Sequence, residues 1–363
     1  MNVDCSKYLQ LLRQMIATPS VSFEEDAVCF LIASFLQNEG IACSVVNGNI
    51  LALNKHYDPA KKTLALDAHM DTVPAAESYT RDPFDAGSDP DVIWGLGAND
   101  DGGSVVSMIA AFAYFYEKEL PVNLLLILSR EEERSGPDGT QYLFQDGFLK
   151  DSPDFPDPDW VILGEPTGMR AATSERGLLV LDGTAHGVAG HAARGEGVNA
   201  LYKAIEDIQK LREFPFERVS PKMGPVRLTV TQIEAGTAHN VVPDSCHFVV
   251  DIRPTEQYSN PEILDMLQKV CTSELKARNL KNKSSATREG SALLKTAQEL
   301  GLETFSSPTT SDWIRIDCDA IKMGPGDSAR SHKADEYIKV SEIEEAVGLY
   351  IKFIERFYGN TLE

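Results

Sequence analysis

Polar side chains that can bind a metal ion or transfer a proton follow several short apolar segments of this chain. Each segment is typical of a buried β-strand. In an open α/β sheet, ligands bind beyond the carboxyl ends of the parallel strands, so residues far apart in sequence can meet there. The candidates are His69 and Asp71 after residues 63–67, Glu131 and Glu132 after residues 122–128, Glu165 after residues 160–163, and His332 beyond residues 321–323.

His69 and Asp71 are two residues apart at a predicted strand end, which places both on one side of the strand. This arrangement suits an imidazole that binds a metal ion while a carboxylate holds its other ring nitrogen. A polar strand end with a capping aspartate is the alternative interpretation of so short a motif.

Three acidic residues elsewhere have both a structural and a chemical interpretation. Asp100 lies in a glycine-rich turn that opens a predicted helix, where an aspartate can also serve as an N-cap. Glu131 and Glu132 belong to a run of three glutamates, and such runs usually form a solvated surface. Because this run directly follows a buried strand, its two carboxylates could divide the work, one binding metal and the other transferring a proton.

Two histidines, one aspartate and two glutamates make a ligand set that suits zinc, with cobalt or manganese as substitutes. Five ligands exceed the number that one tetrahedral zinc requires, and a carboxylate that bridges two metal ions about 3.5 Å apart accounts for the excess. Water between two such ions becomes a nucleophile near neutral pH, and Glu131 could deprotonate it. The sequence therefore predicts a two-metal hydrolytic site.

Five segments resemble, in family order, the signature blocks of the di-zinc aminoacylase and carboxypeptidase superfamily. Its members include acetylornithine deacetylase, succinyl-diaminopimelate desuccinylase, glutamate carboxypeptidase and several di- and tripeptidases. The segments cover nearly the whole chain and comprise residues 68–74, 95–100, 129–132, 164–166 and 331–332.

The resemblance implies a role for each candidate residue. Two zinc ions would be held by five ligands, which are His69 and Glu165 on one ion, Glu132 and His332 on the other, and Asp100 as the bridge. Glu131 would be the general base, and Asp71 would orient His69. The resemblance also implies a catalytic α/β domain with an inserted lid that commonly forms a dimer interface.

Further residues resemble substrate contacts of the superfamily. His191 resembles a lid histidine, often acting from the partner subunit, that stabilises the tetrahedral oxyanion. Asn240 resembles a lid asparagine near the substrate, and Arg253 resembles the arginine that binds the substrate α-carboxylate with its planar guanidinium. Gly324, in the loop after residues 321–323, completes the predicted substrate-binding residues. The alternative for the three lid residues is an ordinary surface position.

Two positions depart from the pattern of many relatives. Asp100 is followed by Asp101, Gly102 and Gly103, where many relatives have a methionine or an aspartate, then a lysine and then a glycine. Arg130 stands where relatives often have an aspartate, and a cation beside Glu131 favours the charged form of that carboxylate. These departures concern substrate preference more than the core mechanism.

The sequence pattern divides the chain into two predicted domains. Residues 1–174 and 286–363 combine short apolar strands with helices and predict an α/β catalytic domain with a mainly parallel sheet flanked by helices. Residues 175–285 have alternating strands and two amphipathic helices, at 199–213 and 261–278, which predict an inserted α+β lid and dimerisation domain. A hairpin is predicted around Asn47-Gly48.

Composition excludes several classes of function. The net charge of −21 argues against a nucleic-acid-binding surface, which would be basic. Six scattered cysteines without a CxxC pair fit neither a zinc ribbon nor a disulfide scaffold. The sequence has neither the pattern of a signal peptide nor a run of membrane-spanning length, so we expect a cytoplasmic protein that binds no membrane.

Together these features predict a homodimeric, metal-dependent amidohydrolase that acts on an N-acyl amino acid. N-acetylornithine, an intermediate of arginine biosynthesis, is the first substrate we expect, with N-acetylcitrulline and N-succinyl amino acids as close alternatives. A di- or tripeptidase would share every metal ligand. A non-catalytic binding protein on the same fold would be expected to lack a ligand or the base.

Overall fold

The computed structural model describes residues 3–361. Its helices are α1 Ser6–Ile16, α2 Asp26–Asn38, α3 Gly103–Tyr116, α4 Phe148–Asp151, α5 Ala200–Arg212, α6 Asn260–Val270, α7 Ala292–Glu299 and α8 Val340–Thr361. Its strands are β1 Ser44–Val46, β2 Asn49–Leu53, β3 Thr63–His69, β4 Val92–Trp94, β5 Asn123–Ser129, β6 Trp160–Leu163, β7 Ala171–Glu175, β8 Leu179–His186, β9 Gly190–His191, β10 Arg227–Ala235, β11 Val241–Val242, β12 Ser245–Arg253, β13 Glu274–Ala277, β14 Ser285–Ala286, β15 Thr304–Ser307, β16 Asp319–Lys322 and β17 Tyr337–Lys339.

The described chain forms two compact units. The first comprises residues 3–173, 286–305 and 311–361, and the second comprises residues 174–285 and 306–310. Across residues 3–361, no helix is long and apolar enough to cross a membrane.

The first unit is built on a sheet whose strands run in the order β1–β2–β5–β3–β6–β16–β7. The four central strands, β5, β3, β6 and β16, are parallel to one another, and the strands flanking them are antiparallel. The predicted α/β fold with a mainly parallel sheet flanked by helices is therefore confirmed.

Both faces of this sheet are buried, which explains why its central strands are apolar nearly throughout. Leu64 and Leu66 of β3 belong to the hydrophobic core that includes α1, α2, α3 and α8. Ala65, between them, belongs to a core on the opposite face with Leu143 and Trp313. The alternation of β3 thus serves two cores at once.

The first hairpin of the unit forms as predicted around Asn47-Gly48. Strands β1 and β2 pair in antiparallel register, with Val46 opposite Asn49. Asn47 and Gly48 have φ values of 49° and 80°, the pair of positive angles that a type I′ turn requires.

The second unit contains an antiparallel sheet with strand order β10–β12–β8–β13. Alternate residues of β12 are buried in its hydrophobic core, which also includes residues of α5 and α6. The intervening residues of β12, such as His247, are at least partly exposed.

One predicted helix of this unit is shorter than expected. The helix expected over residues 261–278 ends at Val270, and Glu274–Ala277 forms β13, which pairs with β8. The carboxylate of Asp207 accepts hydrogen bonds from the backbone N–H groups of Thr272 and Ser273, at 2.9 and 2.7 Å. These contacts fix a non-helical turn, which the apolar periodicity alone did not reveal.

Candidate metal centre

The ends of three neighbouring parallel strands of the first unit bring the candidate residues together. His69 is the last residue of β3 and lies opposite Ser129, the last residue of β5. On the other side of β3, Asp67 lies opposite Leu163, the last residue of β6. The glutamates after β5 and Glu165 after β6 therefore start from the same edge of the sheet as His69.

Two groups of potential metal ligands occur among the described residues. One consists of His69, Glu132 and Glu165, and the other consists of His69, Asp100 and Glu133. Within each group the ligand atoms lie within 4.8 Å of one another. Sequence reasoning did not assign any role to Glu133.

Asp100 lies between the two candidate histidines. Its Oδ1 atom is 3.2 Å from Nε2 of His69, and its Oδ2 atom is 3.6 Å from Nε2 of His332. Nε2 of His332 is also 2.9 Å from Oε1 of Glu133. One carboxylate thus faces both imidazoles, which is the geometry expected of a bridging ligand.

Glu336 holds the backbone of this aspartate. Its Oε1 atom accepts hydrogen bonds from the backbone N–H groups of Asn99 and Asp100, at 2.8 and 3.0 Å. Burial raises the pKa of Glu336 to about 7. Sequence reasoning missed this residue, although it follows His332 by only four positions.

Asp71 contacts both His69 and the glutamate run. Nδ1 of His69 is 3.0 Å from the backbone oxygen of Asp71 and 3.4 Å from its Oδ1 atom. The Asp71 carboxylate also accepts the backbone N–H groups of Glu132 and Glu133, at 3.0 and 3.2 Å. Nε2 of His69 is thereby directed toward Asp100, as a metal-binding imidazole requires.

Glu131, which the sequence predicts as the base, has partners outside the two ligand groups. Its carboxylate accepts the backbone N–H of Asp138 at 3.0 Å and lies 3.3 Å from Nε of Arg130. Glu131 is 2 % exposed, and neither ligand group contains it. Of the three consecutive glutamates, Glu132 and Glu133 belong to the ligand groups.

The electrostatics of the centre reflect this crowding of acidic groups. Burial lowers the pKa of His69, but its hydrogen bonds to Asp100 and Asp71 outweigh burial and raise the pKa well above its usual value. Loss of solvent raises the pKa of Glu132 well above its usual value, and the nearby Glu165 adds to this effect. The hydrogen bond to Glu133 raises the pKa of His332 to about 9.

The donor atoms fit divalent metal ions. Carboxylate oxygens and imidazole nitrogens are the ligands that zinc, cobalt and manganese accept in proteins. Carboxylates held this close repel one another unless protons or cations compensate their charge. The residues of the centre therefore meet the chemical requirement of a two-metal site.

The other predicted residues belong to other segments of the chain. Gly324 follows β16 in the first unit, and a Cβ atom there would lie 2.6 Å from the backbone oxygen of Glu165, so this close approach requires glycine. His191 and Asn240 are exposed residues of the second unit; the Nδ1 atom of His191 accepts the N–H of Ala193.

Arg253 of the second unit is engaged by its neighbours. Its Nε and Nη2 atoms donate to Asp251 at 2.8 and 3.0 Å, and Nη1 donates to Thr310 at 3.2 Å. A guanidinium has five N–H donors, so two remain beyond these three bonds.

The chain matches a known protein family and is similar to known proteins. The model of peptidase family M20/M25/M40 matches residues 65–356. A succinyl-diaminopimelate desuccinylase of Cereibacter sphaeroides is 26% identical over 387 residues, covering 96% of this chain and 98% of the relative.

Solved structures share the fold along the full chain. A tripeptidase from Staphylococcus aureus superposes with a TM-score of 0.78 at 17% identity, covering 99% of this chain and 100% of the other. A Bacillus subtilis protein described as a dinuclear metal binding peptidase superposes with a TM-score of 0.70 at 17% identity, covering 98% of this chain and 97% of the other.

Proposed function

The chain belongs to peptidase family M20/M25/M40 and is a metal-dependent amide hydrolase, and we propose that it removes the acyl group from an N-acyl amino acid with the help of two metal ions. The family resemblance predicted from the sequence blocks is thereby confirmed. The observation that carries the two-metal proposal is the position of Asp100, whose two carboxylate oxygens face His69 and His332 separately.

In this proposal each ion has its own ligands beside the shared one. His69 and Glu165 would hold one ion, Glu133 and His332 would hold the other, and Asp100 would contribute to both. When bound, two divalent ions supply Lewis acidity that polarises an amide carbonyl and lowers the pKa of a water molecule. Zinc is the ion we propose, with cobalt or manganese as substitutes.

Glu132 is the residue we propose as general base. Its carboxylate lies with His69 and Glu165, and its backbone N–H is held by Asp71. A carboxylate in this position can take a proton from water and later return it. Glu132 then delivers that proton to the nitrogen of the leaving amine, which completes the exchange of the amide bond for an acid and an amine.

Residues of the second unit are proposed to recognise the substrate. His191 would donate to the developing oxyanion, and such a donor contributes roughly 3 kcal/mol to stabilisation of a transition state. The two remaining N–H donors of Arg253 would bind the α-carboxylate, since a guanidinium matches that planar group. Asn240 and Gly324 stay proposed substrate contacts.

The substrate we propose is an N-acyl amino acid with a free α-carboxylate. N-acetylornithine stays the first candidate from the sequence, and arginine biosynthesis stays the corresponding pathway. The similarity to a protein named as a succinyl-diaminopimelate desuccinylase supports testing N-succinyl amino acids with equal weight. N-acetylcitrulline and small peptides complete the set of candidates.

A substrate panel tests this proposal directly. The zinc-loaded enzyme is assayed for amine release from N-acetylornithine, N-acetylcitrulline, N-succinyl-diaminopimelate, and matched di- and tripeptides. We expect the highest kcat/KM for one of the N-acyl amino acids. Preferential cleavage of a dipeptide or tripeptide would instead assign the chain to the peptidase alternative.

We also propose that the second unit mediates a homodimer. Strand β10 is an edge strand of its sheet, with one long side unpaired among the described strands. Tyr202 and Ile205, one turn apart on α5, are 65% and 49% exposed, and α5 packs across the sheet against β10, β12 and β8. An unpaired edge next to exposed apolar side chains supports pairing with a second copy.

A further inference from the structure

We propose that Glu25, Arg130 and Glu131 form a buried anchor that directs Glu132 and Glu133 toward the metal centre. In this proposal Glu131 is a positioning residue. The inference rests on the roles proposed above for Glu132 and Glu133, and it concerns a residue that the sequence assigned to proton transfer.

Every polar group of Glu131 has a partner within the loop or the anchor. Its N–H donates to Oε1 of Glu25 at 3.1 Å, and its backbone oxygen accepts the N–H of Gly136 at 2.9 Å. Its Oε2 atom accepts the N–H of Asp138, and its Oε1 atom lies 3.3 Å from Nε of Arg130. With its carboxylate so engaged, Glu131 is held in place and is not poised to exchange protons with a substrate.

The backbone of Glu131 adopts a conformation that needs such support. Its φ is 63°, in the left-handed region that side chains other than glycine rarely occupy. Residues in this region persist when the surrounding structure determines their conformation strongly, and they cluster at functional sites. This left-handed residue immediately precedes a short 3-10 turn over Glu132–Arg134.

Arg130 balances two buried carboxylates in the anchor. Its Nη2 atom donates to Oε2 of Glu25 at 2.8 Å, and its Nε atom faces Glu131. Glu25 is itself buried and accepts the backbone N–H of Phe23 at 2.9 Å through Oε1. Burying a charged carboxylate costs free energy unless the carboxylate is paired with a cation. Arg130 therefore offsets the cost of burying both glutamates.

Two glycines leave room for this arrangement. A Cβ atom at Gly48 would lie 2.3 Å from Nη1 of Arg130. A Cβ atom at Gly136 would lie 2.1 Å from Oε2 of Glu131. Both contacts are far inside van der Waals distance, so the anchor fits only because these positions carry no side chain.

The anchor and Asp71 hold the glutamate run from opposite ends. The anchor fixes Arg130 and Glu131, while Asp71 accepts the next two backbone N–H groups, those of Glu132 and Glu133. The side chains of Glu132 and Glu133 are then left to face the centre. Loosening the anchor should therefore misplace both a proton-transfer group and a metal ligand.

The test compares Glu131→Ala, Glu131→Gln, Arg130→Met and Arg130→Lys with the exposed control Glu24→Gln. We measure kcat, KM and zinc affinity by competition with a chromogenic chelator, after circular dichroism establishes folding. We expect Glu131→Ala and Arg130→Met each to lower kcat by about 10-fold to 100-fold. The affinity for the more weakly bound of the two zinc ions should fall by about the same factor, while KM should stay within about 2-fold of the wild-type value. Glu131→Gln and Arg130→Lys preserve part of the contacts, so their losses of kcat and of zinc affinity should be much smaller.

Two outcomes would overturn the anchor. Wild-type kcat and zinc affinity in both Glu131→Ala and Arg130→Met would show that the anchor positions nothing. A Glu131→Gln variant that binds two zinc ions with wild-type affinity but has lost hydrolysis as completely as Glu132→Gln would make Glu131 the base. If the wild-type enzyme hydrolyses no compound of the panel, the proposed function fails, but the zinc affinities still decide on the anchor.

Discussion

Nε2 of His332 lies 2.9 Å from Oε1 of Glu133, a residue 199 positions earlier in the chain. This contact identifies which glutamate of the run accompanies the second histidine. Because Glu133 occupies that place, Glu132 is left beside His69 and Glu165 as the group proposed to transfer protons. The proposed roles of the three consecutive glutamates are thus anchor, base and ligand, in chain order.

Replacing the proposed base should separate hydrolysis from metal binding. Glu132→Gln is expected to lower kcat by about 10²-fold to 10⁴-fold, because an amide cannot take up the proton. Zinc content should stay at the wild-type level, measured by inductively coupled plasma mass spectrometry. Glu345→Gln, an exposed position of α8, is the matched control; substantial hydrolysis by Glu132→Gln would rule out its role as base.

Replacing a ligand of one ion should leave the other ion in place. Glu133→Gln and His332→Gln are each expected to reduce the zinc content by about one ion per chain, since both contribute to the same ion. Metal analysis after dialysis against a fixed concentration of free zinc measures this loss. Full occupancy in Glu133→Gln, together with loss of one ion in Glu132→Gln, would restore the assignment made from the sequence.

Removal of metal should abolish activity and lower stability. Dialysis against a chelator is expected to eliminate hydrolysis, and added zinc or cobalt should restore it. A ligand that binds only the folded state stabilises that state, so the metal-depleted protein should also unfold at a lower temperature. Scanning calorimetry with and without zinc measures the shift, and a chelator-resistant activity would contradict metal dependence.

The sequence predicted most of this centre because strand ends are visible as short apolar segments followed by polar residues. His69, Asp100, Glu165 and His332, which the sequence singles out, lie near one another in the structure, and their role as metal ligands stays a proposal. Within the glutamate run, the sequence-based assignment of Glu131 as base and Glu132 as ligand differs from the one proposed from the structure, because the three residues are chemically identical. Their roles depend on the left-handed conformation of Glu131, which contacts with Glu25 and Arg130 from distant segments support.

Asp207 should stabilise the second unit in a pH-dependent manner. Burial raises the pKa of Asp207, but hydrogen bonds from Ser273, Lys210 and Thr272 outweigh burial and lower the pKa from 3.8 to about 2. Because the pKa is lower in the folded state, the stabilisation is present above about pH 4 and is lost as the pH falls through about 2. At neutral pH it amounts to about 2 kcal/mol.

The variant Asp207→Asn should therefore unfold at lower urea concentration than the wild type at pH 7, and this difference should shrink toward pH 2. Circular dichroism across a urea series at each pH measures it. Asp265→Asn is the control, since the ion pair of Asp265 with Lys269 is exposed and contributes little. A difference that is independent of pH would show that the charge of Asp207 is not its source.

Charge on the exposed surface of the second unit should break the proposed dimer. Ile205→Lys and Ile233→Lys place a cation on α5 and on the edge strand β10, where a second copy would pack. We expect each variant to sediment as a monomer at concentrations where the wild type is dimeric. Val270→Lys, at the end of α6, is the control, because α6 packs against β13 at the other edge of the sheet.

The tight turn at Asn47-Gly48 has a consequence beyond the hairpin that it closes. Gly48 borders Nη1 of Arg130, so a methyl group at this position would displace the guanidinium as well as strain the turn. A substitution in a loop that takes no part in the chemistry would then shift the reacting groups by displacing a single arginine. Residue 48 is accordingly a remote site at which turnover could be tuned without altering any group that touches the substrate.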